Sequence, residues 1–395
     1  MGVKSQLKAF NLYNSNSITK SLEMGCLNMR CCESYAVSEV IGITTVLLVI
    51  SGGIGVTLFW GVPYMEDKKG SVSLDSALLQ LDVMGDLMED MFNEGVNSGK
   101  TVSFQGSSGN MYLDPQGERF VFYYSVYKYD RGDFFDFNVS DFDPETGDPY
   151  SFTINVASAY PVWGNPMLLN FTFTRLNDSL TGYAEESVPR DGSSPITITC
   201  GSFPLSGAIR IDIRARLGPI LEDCGRIWLF DVGSLIYQIS SSSGARRVIV
   251  ENGGVVSVMD GGGYLYNEAR YWSQKLLDDT TLVTMRIIQI VPDYDTGAYS
   301  VGGNPVRLEF FIKTISSTIQ ESRQLMGGWF KMRIYGDAAA VSAWRYYYSR
   351  RMGFEAYPTD NDVLWLNFIY QSGEGDFPLF SFNYAVCNVG MEVKS

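Results

Sequence analysis

The longest apolar run of the chain lies near its N-terminus. Residues 40–62 carry no charge, and these roughly 23 residues would rise about 35 Å as an α-helix. The hydrocarbon core of a bilayer is about 30 Å thick, and a secretory signal peptide has an apolar core of only about 7–15 residues. A buried core helix is the other alternative for such a run. The pattern predicts a membrane-spanning helix over residues 35–63, preceded by a polar leader over residues 1–34.

Charged residues flank this run unevenly. Four basic residues precede it, namely Lys4, Lys8, Lys20 and Arg30. Two acidic and two basic residues follow it directly, namely Glu66, Asp67, Lys68 and Lys69. An excess of lysine and arginine favours the cytoplasmic side of a membrane. We therefore expect the leader to be cytoplasmic and the larger C-terminal part to be extracellular.

A second helical pattern follows the membrane segment. Apolar residues recur at helical spacing from Ser71 to Glu94, which is typical of a helix with one buried face. Pro63 and Gly70 are expected to break this helix from the membrane helix. The pattern predicts a stalk helix over residues 64–98. Four of its residues are expected to be buried against a β-sheet, namely Leu74, Leu78, Leu81 and Met88.

Strand patterns dominate from residue 100 onward. Ile209–Arg214 alternates apolar and charged residues, as a strand with one solvated face does. Asn252-Gly253 lies between two apolar runs and is typical of a two-residue hairpin turn. A late helix is predicted over residues 338–351, ending at Gly353. Further candidate strands are 120–127, 151–156, 282–290, 306–313 and 363–370.

These patterns predict a mainly β fold. Aromatic residues make up 14% of the chain, and they favour pleated surfaces. A regular alternation of strands and helices, which a parallel sheet would need, is missing from the pattern. We expect an antiparallel β-sandwich-like head over residues 99–395. A serine-rich stretch near residue 240 either divides this head into two units or forms a loop within one.

The residues at the start of the apolar run resemble a known family. Tyr35-Ala36-Val37-Ser38-Glu39-Val40-Ile41-Gly42 is similar to the N-terminus of archaeal type IV pilin-like proteins, and the resemblance covers about residues 30–65. It implies that a prepilin peptidase removes the leader, a class III signal peptide, on the cytoplasmic side. A small residue precedes the cut in this family. Cleavage between Ser34 and Tyr35 would make Glu39 the fifth mature residue, where the family often has Glu.

The membrane helix also carries residues suited to contacts with other helices. Glu39 either seeks a partner, such as a neighbouring N-terminal amine, or lies unpaired among lipid headgroups. Gly53, Thr57 and Gly61 are spaced four apart, which lets another helix approach closely. The other interpretation is that glycine is simply common in membrane helices. If these residues mediate packing, the resemblance implies other pilin-like subunits as partners.

Charge and composition exclude several function classes. The formal net charge is -14, whereas a nucleic-acid binder needs a basic face, so we expect no nucleic acid as partner. The chain has no histidine, which removes the usual general base and the commonest metal ligand. We expect no enzyme activity and no cofactor. Acidic residues between 130 and 148 form either a solvated loop or a calcium site.

The cysteines and sequons suit an exported head. We predict a disulfide between Cys200 and Cys224, although Cys387 is an equally available partner and buried free thiols are the other alternative. Three sequons predict glycosylation, at Asn138, Asn170 and Asn177.

The sequence therefore predicts a single-pass, pilin-like structural or adhesion protein of the cell membrane, with its head at the cell surface or in a filament. A minor filament subunit is the preferred form. One alternative is a solitary membrane-anchored receptor or adhesin that does not polymerise. The other is an ectoenzyme that uses acidic residues, which a convergent acidic pocket in the head would favour.

Overall fold

Helical geometry begins at the first described residue. A computed structural model describes residues 34–395 except for 107–108, 129–132, 141–150, 159–166, 189–195, 218, 242–243, 260–261, 269–271, 278–279, 294–298, 302–304, 319–324, 358–359, 368–378 and 395. Helix α1 (Ser34–Val56) is followed by a π-helical segment (Thr57–Gly61) and by helix α2 (Val62–Glu94). The chain divides into two compact units, Met1–Val62 and Pro63–Ser395.

The predicted break between the two helices is wrong. Pro63 is the second residue of α2, and Gly70 is a buried residue within it. A proline inside a helix leaves the carbonyl four residues earlier without its usual donor. The π-helical segment Thr57–Gly61 is the local departure from α geometry that directly precedes Pro63. The sequence rule for a helix end therefore overestimated the effect of a single proline.

One face of α2 is buried, as the helical spacing predicted. Leu74, Leu78, Leu81 and Met88 are each at most 2% exposed. They form one core cluster with strand residues of the same unit. The other members of the buried α2 stripe in this cluster are Ala77, Met84 and Met91. Burial of this stripe attaches α2 firmly to the β-rich head.

The head is mainly β. Its first ten strands are β1 (Gly99–Phe104), β2 (Asn110–Lys128), β3 (Asp133–Ser140), β4 (Ser151–Ser158), β5 (Met167–Arg175), β6 (Thr181–Val188), β7 (Ile196–Thr199), β8 (Ala208–Leu217), β9 (Ile220–Ser241) and β10 (Gly244–Glu251). The other strands are β11 (Gly254–Met259), β12 (Gly262–Asn267), β13 (Trp272–Leu277), β14 (Thr280–Pro292), β15 (Tyr299–Ser300), β16 (Val306–Thr318), β17 (Leu325–Gly336), β18 (Glu355–Tyr357), β19 (Asp360–Asn367) and β20 (Leu379–Lys394). The predicted late helix is present as α3 (Ala338–Met352), which ends at Gly353.

The strands form open sheets that pack in a sandwich-like manner. The largest run of paired strands is β6-β5-β8-β9-β2-β17-β19-β18, and β10, β11 and β12 continue from the second half of β9. A second run is β1-β16-β20-β14-β13. A third comprises β3, β4 and β7. Most pairs are antiparallel, as predicted, but β14 and β20 pair in parallel.

Strand β2 lies between two hydrophobic cores. Phe120, Phe122 and Tyr124 belong to a cluster that includes residues of β14, β20 and α3. The alternate residues Val121 and Tyr123 belong to a cluster that includes residues of β4, β5, β7 and β8. A strand buried on both faces needs a continuous apolar run, which explains the sequence of β2 in this part.

The strand pairing bears on two local predictions. Asn252 and Gly253 have φ angles of 47° and 73°, and they connect β10 to β11 in the predicted hairpin. Near residue 240, Ser241 at the end of β9 pairs with Gly244 at the start of β10, and both strands belong to the compact unit Pro63–Ser395.

Candidate functional site

The apolar helix is the first candidate region. From Val40 to Trp60 its residues are exposed, and in the described part of the chain it belongs to the one helix that is long and apolar enough to cross a membrane. Large side chains such as Leu48 and Phe59 are 74% and 88% exposed. An apolar surface of this extent is costly in water, so a bilayer or a second protein must cover it.

The predicted processing and packing residues lie on this helix. Ser34 and Tyr35 are the first two residues of α1, and Glu39 follows them; their side chains lie outside the described part of the structure. Thr57 donates a hydrogen bond to the carbonyl of Gly53 at 2.8 Å, so its hydroxyl is satisfied within the helix. Gly53 has open space beside it, which leaves room for a partner helix. Gly61 lies one turn further along.

A second candidate lies in the head, where a pocket of about 590 Å³ contains two buried glutamates. Glu118 comes from β2 and Glu251 from the end of β10, although 132 residues separate them in sequence. Asp114 and Asp337 also line this pocket. We call this region the acidic pocket.

A bulge in β2 places Glu118 in the acidic pocket. Asp114 pairs with Ser234 of β9, but Glu118 pairs with Val232, so three residues of β2 face one residue of β9. The Asp114 carboxylate accepts a hydrogen bond from the backbone N–H of Gln116 at 3.0 Å, which stabilises the turn within the bulge. The bulge therefore interrupts the regular pairing of β2 with β9 beside the pocket.

Gly336 of β17 makes room for the carboxyl group of Glu118. Gly336 pairs with Glu118 across β17 and β2, and its φ angle is 148°. A Cβ atom at Gly336 would lie 2.6 Å from the carboxyl carbon of Glu118. Any other residue there would be strained and would collide with Glu118. Glycine at the end of β17 is therefore needed to accommodate this carboxyl group.

Within the described part of the chain, Glu118 is buried without a compensating partner. It is 1% exposed, and neither carboxyl oxygen has a hydrogen-bond partner among the described residues. Burial, followed by the neighbouring charges of Glu251 and Asp337, raises the pKa of Glu118 well above its usual value. Its neighbour Arg119 differs, because it pairs with Asp231 at 2.5 Å. Among the described residues, Glu118 is the one carboxyl group with buried oxygens that lack a hydrogen bond.

Glu251 is buried but satisfied. Its Oε2 accepts a hydrogen bond from the Ser234 hydroxyl at 2.9 Å, and its Oε1 accepts one from the Trp344 indole N–H of α3. Burial raises the pKa of Glu251 to about 7, although these two hydrogen bonds oppose the rise. Glu251 therefore changes charge close to neutral pH.

A salt bridge also lines the acidic pocket. Arg247 of β10 pairs with Asp337 at 2.8 Å. Asp337 is also the N-cap of α3, because its carboxylate accepts hydrogen bonds from the backbone N–H groups of Ala339 and Ala340 at 3.1 and 3.3 Å. The charge of Arg247 is thus largely neutralised before any ligand enters.

The carboxylates of the pocket do not form a metal centre. Within the described ranges, no group of three or more His, Cys, Asp or Glu residues is placed to hold a metal ion. The predicted alternative of a calcium site between residues 130 and 148 lies almost wholly outside the described residues. Asp133 and Asp136 belong to β3, but their side chains are not described.

The residues of the predicted disulfide and glycosylation sites lie in the head. Cys200 and Cys224 are buried in the same core cluster, and the disulfide between them stays a prediction. Asn177 lies exposed in the turn after β5. Asn170 is half-buried in β5, between β6 and β8, and Asn138 lies in β3 without a described side chain. Glycosylation at these residues stays a prediction. Of Asn170 and Asn177, whose side chains are described, Asn177 is the more accessible.

The acidic pocket was not predicted from the sequence. Its signals were a glutamate two residues before the apolar run that starts at Phe120 in β2, and another directly after Val248-Ile249-Val250. Neither signal indicates that the two residues meet in space. Comparison with protein-family models, with characterised proteins and with solved structures finds no match for this chain.

Proposed function

We propose that this protein is a single-pass surface protein, anchored by its N-terminal helix and presenting a β-rich extracellular head. The observation that carries this proposal is the exposed apolar surface of α1 and the π-helical segment, joined in sequence to a well-packed head. The excess of basic residues before the apolar run supports an extracellular head. A minor subunit of a pilin-like filament is the preferred form, because the N-terminal sequence resembles archaeal type IV pilin-like proteins.

Fractionation distinguishes the two structural forms of this proposal. Cells that produce the chain are sheared, and the released surface filaments are separated from the cell membranes. A filament subunit is expected in both fractions, whereas a solitary adhesin or receptor stays in the membrane fraction. A variant that lacks residues 1–62 serves as the control and is expected in neither. Recovery of the full chain in the soluble fraction would contradict both forms.

Processing of the leader is a separate prediction. We expect cleavage between Ser34 and Tyr35, because this cut makes Glu39 the fifth mature residue. N-terminal sequencing of the protein purified from its own cells should return Tyr35 first. A mature protein that begins at Met1, Gly2 or beyond Val40 would remove the pilin-like part of the proposal and leave the membrane anchor intact.

The acidic pocket favours a second candidate, an ectoenzyme that uses acidic residues. Glu251 has a pKa of about 7, which suits proton transfer at neutral pH. Hydrolysis of glycoside and peptide substrates by the purified chain tests this candidate. Turnover that Glu251→Gln abolishes and Glu355→Gln preserves would support it, since Glu355 is an exposed residue of β18 outside the pocket. Absence of turnover with both substrate classes would favour a binding head.

A further inference from the structure

We propose that the acidic pocket binds a guanidinium group, with the carboxylate of Glu118 as its principal partner. The inference concerns a ligand site in the head and does not depend on membrane anchoring or on filament assembly.

Among the described residues, Glu118 has unmet hydrogen-bonding capacity. A buried carboxyl group that makes no hydrogen bond is costly, and such groups are rare in folded proteins. Both oxygens of Glu118 lack a partner among the described residues, and Glu118 lines a pocket that opens to solvent. Gly336 makes room for this carboxyl group at the pocket, since a Cβ atom there would lie 2.6 Å from it. A ligand that donates hydrogen bonds would supply the missing partners.

The residues that line the acidic pocket carry mostly acidic side-chain charges. Four acidic residues line the pocket, namely Asp114, Glu118, Glu251 and Asp337. Among the described residues that line it, Arg247 is the one cation, and Asp337 already pairs with it. A cationic ligand is therefore favoured, and an anionic ligand would meet repulsion in a site of low dielectric constant.

Among cations, a guanidinium group fits the acidic pocket best. A metal ion is disfavoured, because the described carboxylates do not converge in a group of three. The two free oxygens of one carboxylate match the fork of two N–H donors that a planar guanidinium presents. Tyr112 also lines the pocket, and a guanidinium plane stacks well on an aromatic ring.

Binding of a cation should release protons from the pocket. The pKa of Glu118 is raised in the empty pocket, and a bound cation would lower it, so affinity should increase as the pH rises. Glu251 contributes in the same direction, because its pKa is about 7. The other titratable or charged residues that line the pocket or interact electrostatically with Glu118 are Tyr112, Asp114, Arg247, Tyr335, Asp337 and Tyr348.

Calorimetric titration of the full chain in detergent tests the inference. Methylguanidinium is the probe for a free ligand, and N-acetyl-arginine amide is the probe for an arginine of a partner chain. Methylurea has the same shape without the charge. We expect one or both guanidinium probes to bind, with release of protons and with affinity that rises between pH 5 and pH 8. The tighter of the two probes identifies the source of the group.

Variants test the assignment to Glu118. Glu118→Gln keeps the shape and removes the charge, and it should weaken guanidinium binding by about 30-fold or more. Glu355→Gln should bind like the wild type. Equal binding of methylurea and methylguanidinium by the wild type would overturn the inference, as would wild-type affinity in Glu118→Gln or no guanidinium binding at pH 8. The measurements on the wild type stand even if the variant does not fold.

Discussion

At the scale of single residues, the two buried glutamates dominate the response to pH. The chain has no histidine, so no imidazole titrates between pH 5 and pH 8. Glu118 and Glu251 both have raised pKa values because they are buried. Since the folded protein holds their protons more tightly than the unfolded chain does, both glutamates oppose folding as the pH rises.

The first prediction follows from the sign of this shift. The folded pKa of Glu251 is about 7 against an ordinary value of 4.5, so its contribution is full below about pH 4.5 and is lost as the pH rises through 7. The free energy of unfolding of the head should therefore fall between pH 5 and pH 8, by about 2.5 kcal/mol from Glu251 alone. Thermal unfolding of the full chain in detergent, followed by near-ultraviolet circular dichroism, measures this trend.

Substitutions of the two glutamates test whether these residues cause the pH dependence of stability. Glu251→Gln can keep the hydrogen bonds with Ser234 and Trp344, and it should flatten the fall of the unfolding temperature with pH. Glu118→Gln should raise the unfolding temperature at pH 8, because it removes a buried acid that has no partner among the described residues and whose ionisation burial opposes. Glu355→Gln should follow the wild type. If both pocket variants keep the wild-type pH dependence, the burial argument is wrong.

At the scale of elements, α2 is held to the head by its apolar face. Leu81 is fully buried in the cluster that α2 shares with the strands, whereas Leu79 is 61% exposed on the other face of the same helix. We predict that Leu81→Ala lowers the free energy of unfolding by about 2–5 kcal/mol, because it removes buried apolar surface and leaves a cavity. Denaturant unfolding of the solubilised chain measures the change.

Leu79→Ala is the matched control for this prediction. It removes the same atoms from a solvated face of the same helix, so its effect should stay within about 0.5 kcal/mol. Equal losses in the two variants would mean that α2 does not pack on the head through the Leu74–Met91 face.

Elements with a local signal could be predicted from the sequence. The buried face of α2, the β10–β11 hairpin at Asn252-Gly253 and the helix that ends at Gly353 each depend on residues close together in the chain. Pro63 misled the prediction, because a helix can continue past a proline when a neighbouring turn changes its geometry.

At the scale of the whole molecule, long-range pairing was beyond the sequence patterns. Strands β14 and β20 pair in parallel, although β15, β16, β17, α3, β18 and β19 lie between them in the chain. Alternation indicates that a strand has a buried face, but it does not indicate which strand lies beside it or in which direction. For the same reason the meeting of Glu118 and Glu251 could not be predicted, since it depends on how β2, β10 and β17 are arranged.

For the whole molecule, we propose that an N-terminal membrane helix presents the head outside the cell. Ser349 is exposed on α3, so Ser349→Cys provides a reporter on the head. The native cysteines of the described part, Cys200, Cys224 and Cys387, are buried. The three others, Cys26, Cys31 and Cys32, belong to the leader, which the account places in the cytoplasm.

This arrangement is tested by applying a membrane-impermeant maleimide to intact cells and then isolating the membranes. We expect the Ser349→Cys chain to be labelled in intact cells and recovered with the membranes, while the wild type stays unlabelled. Labelling of Ser349→Cys only after lysis, or recovery of the chain in the soluble fraction, would contradict it.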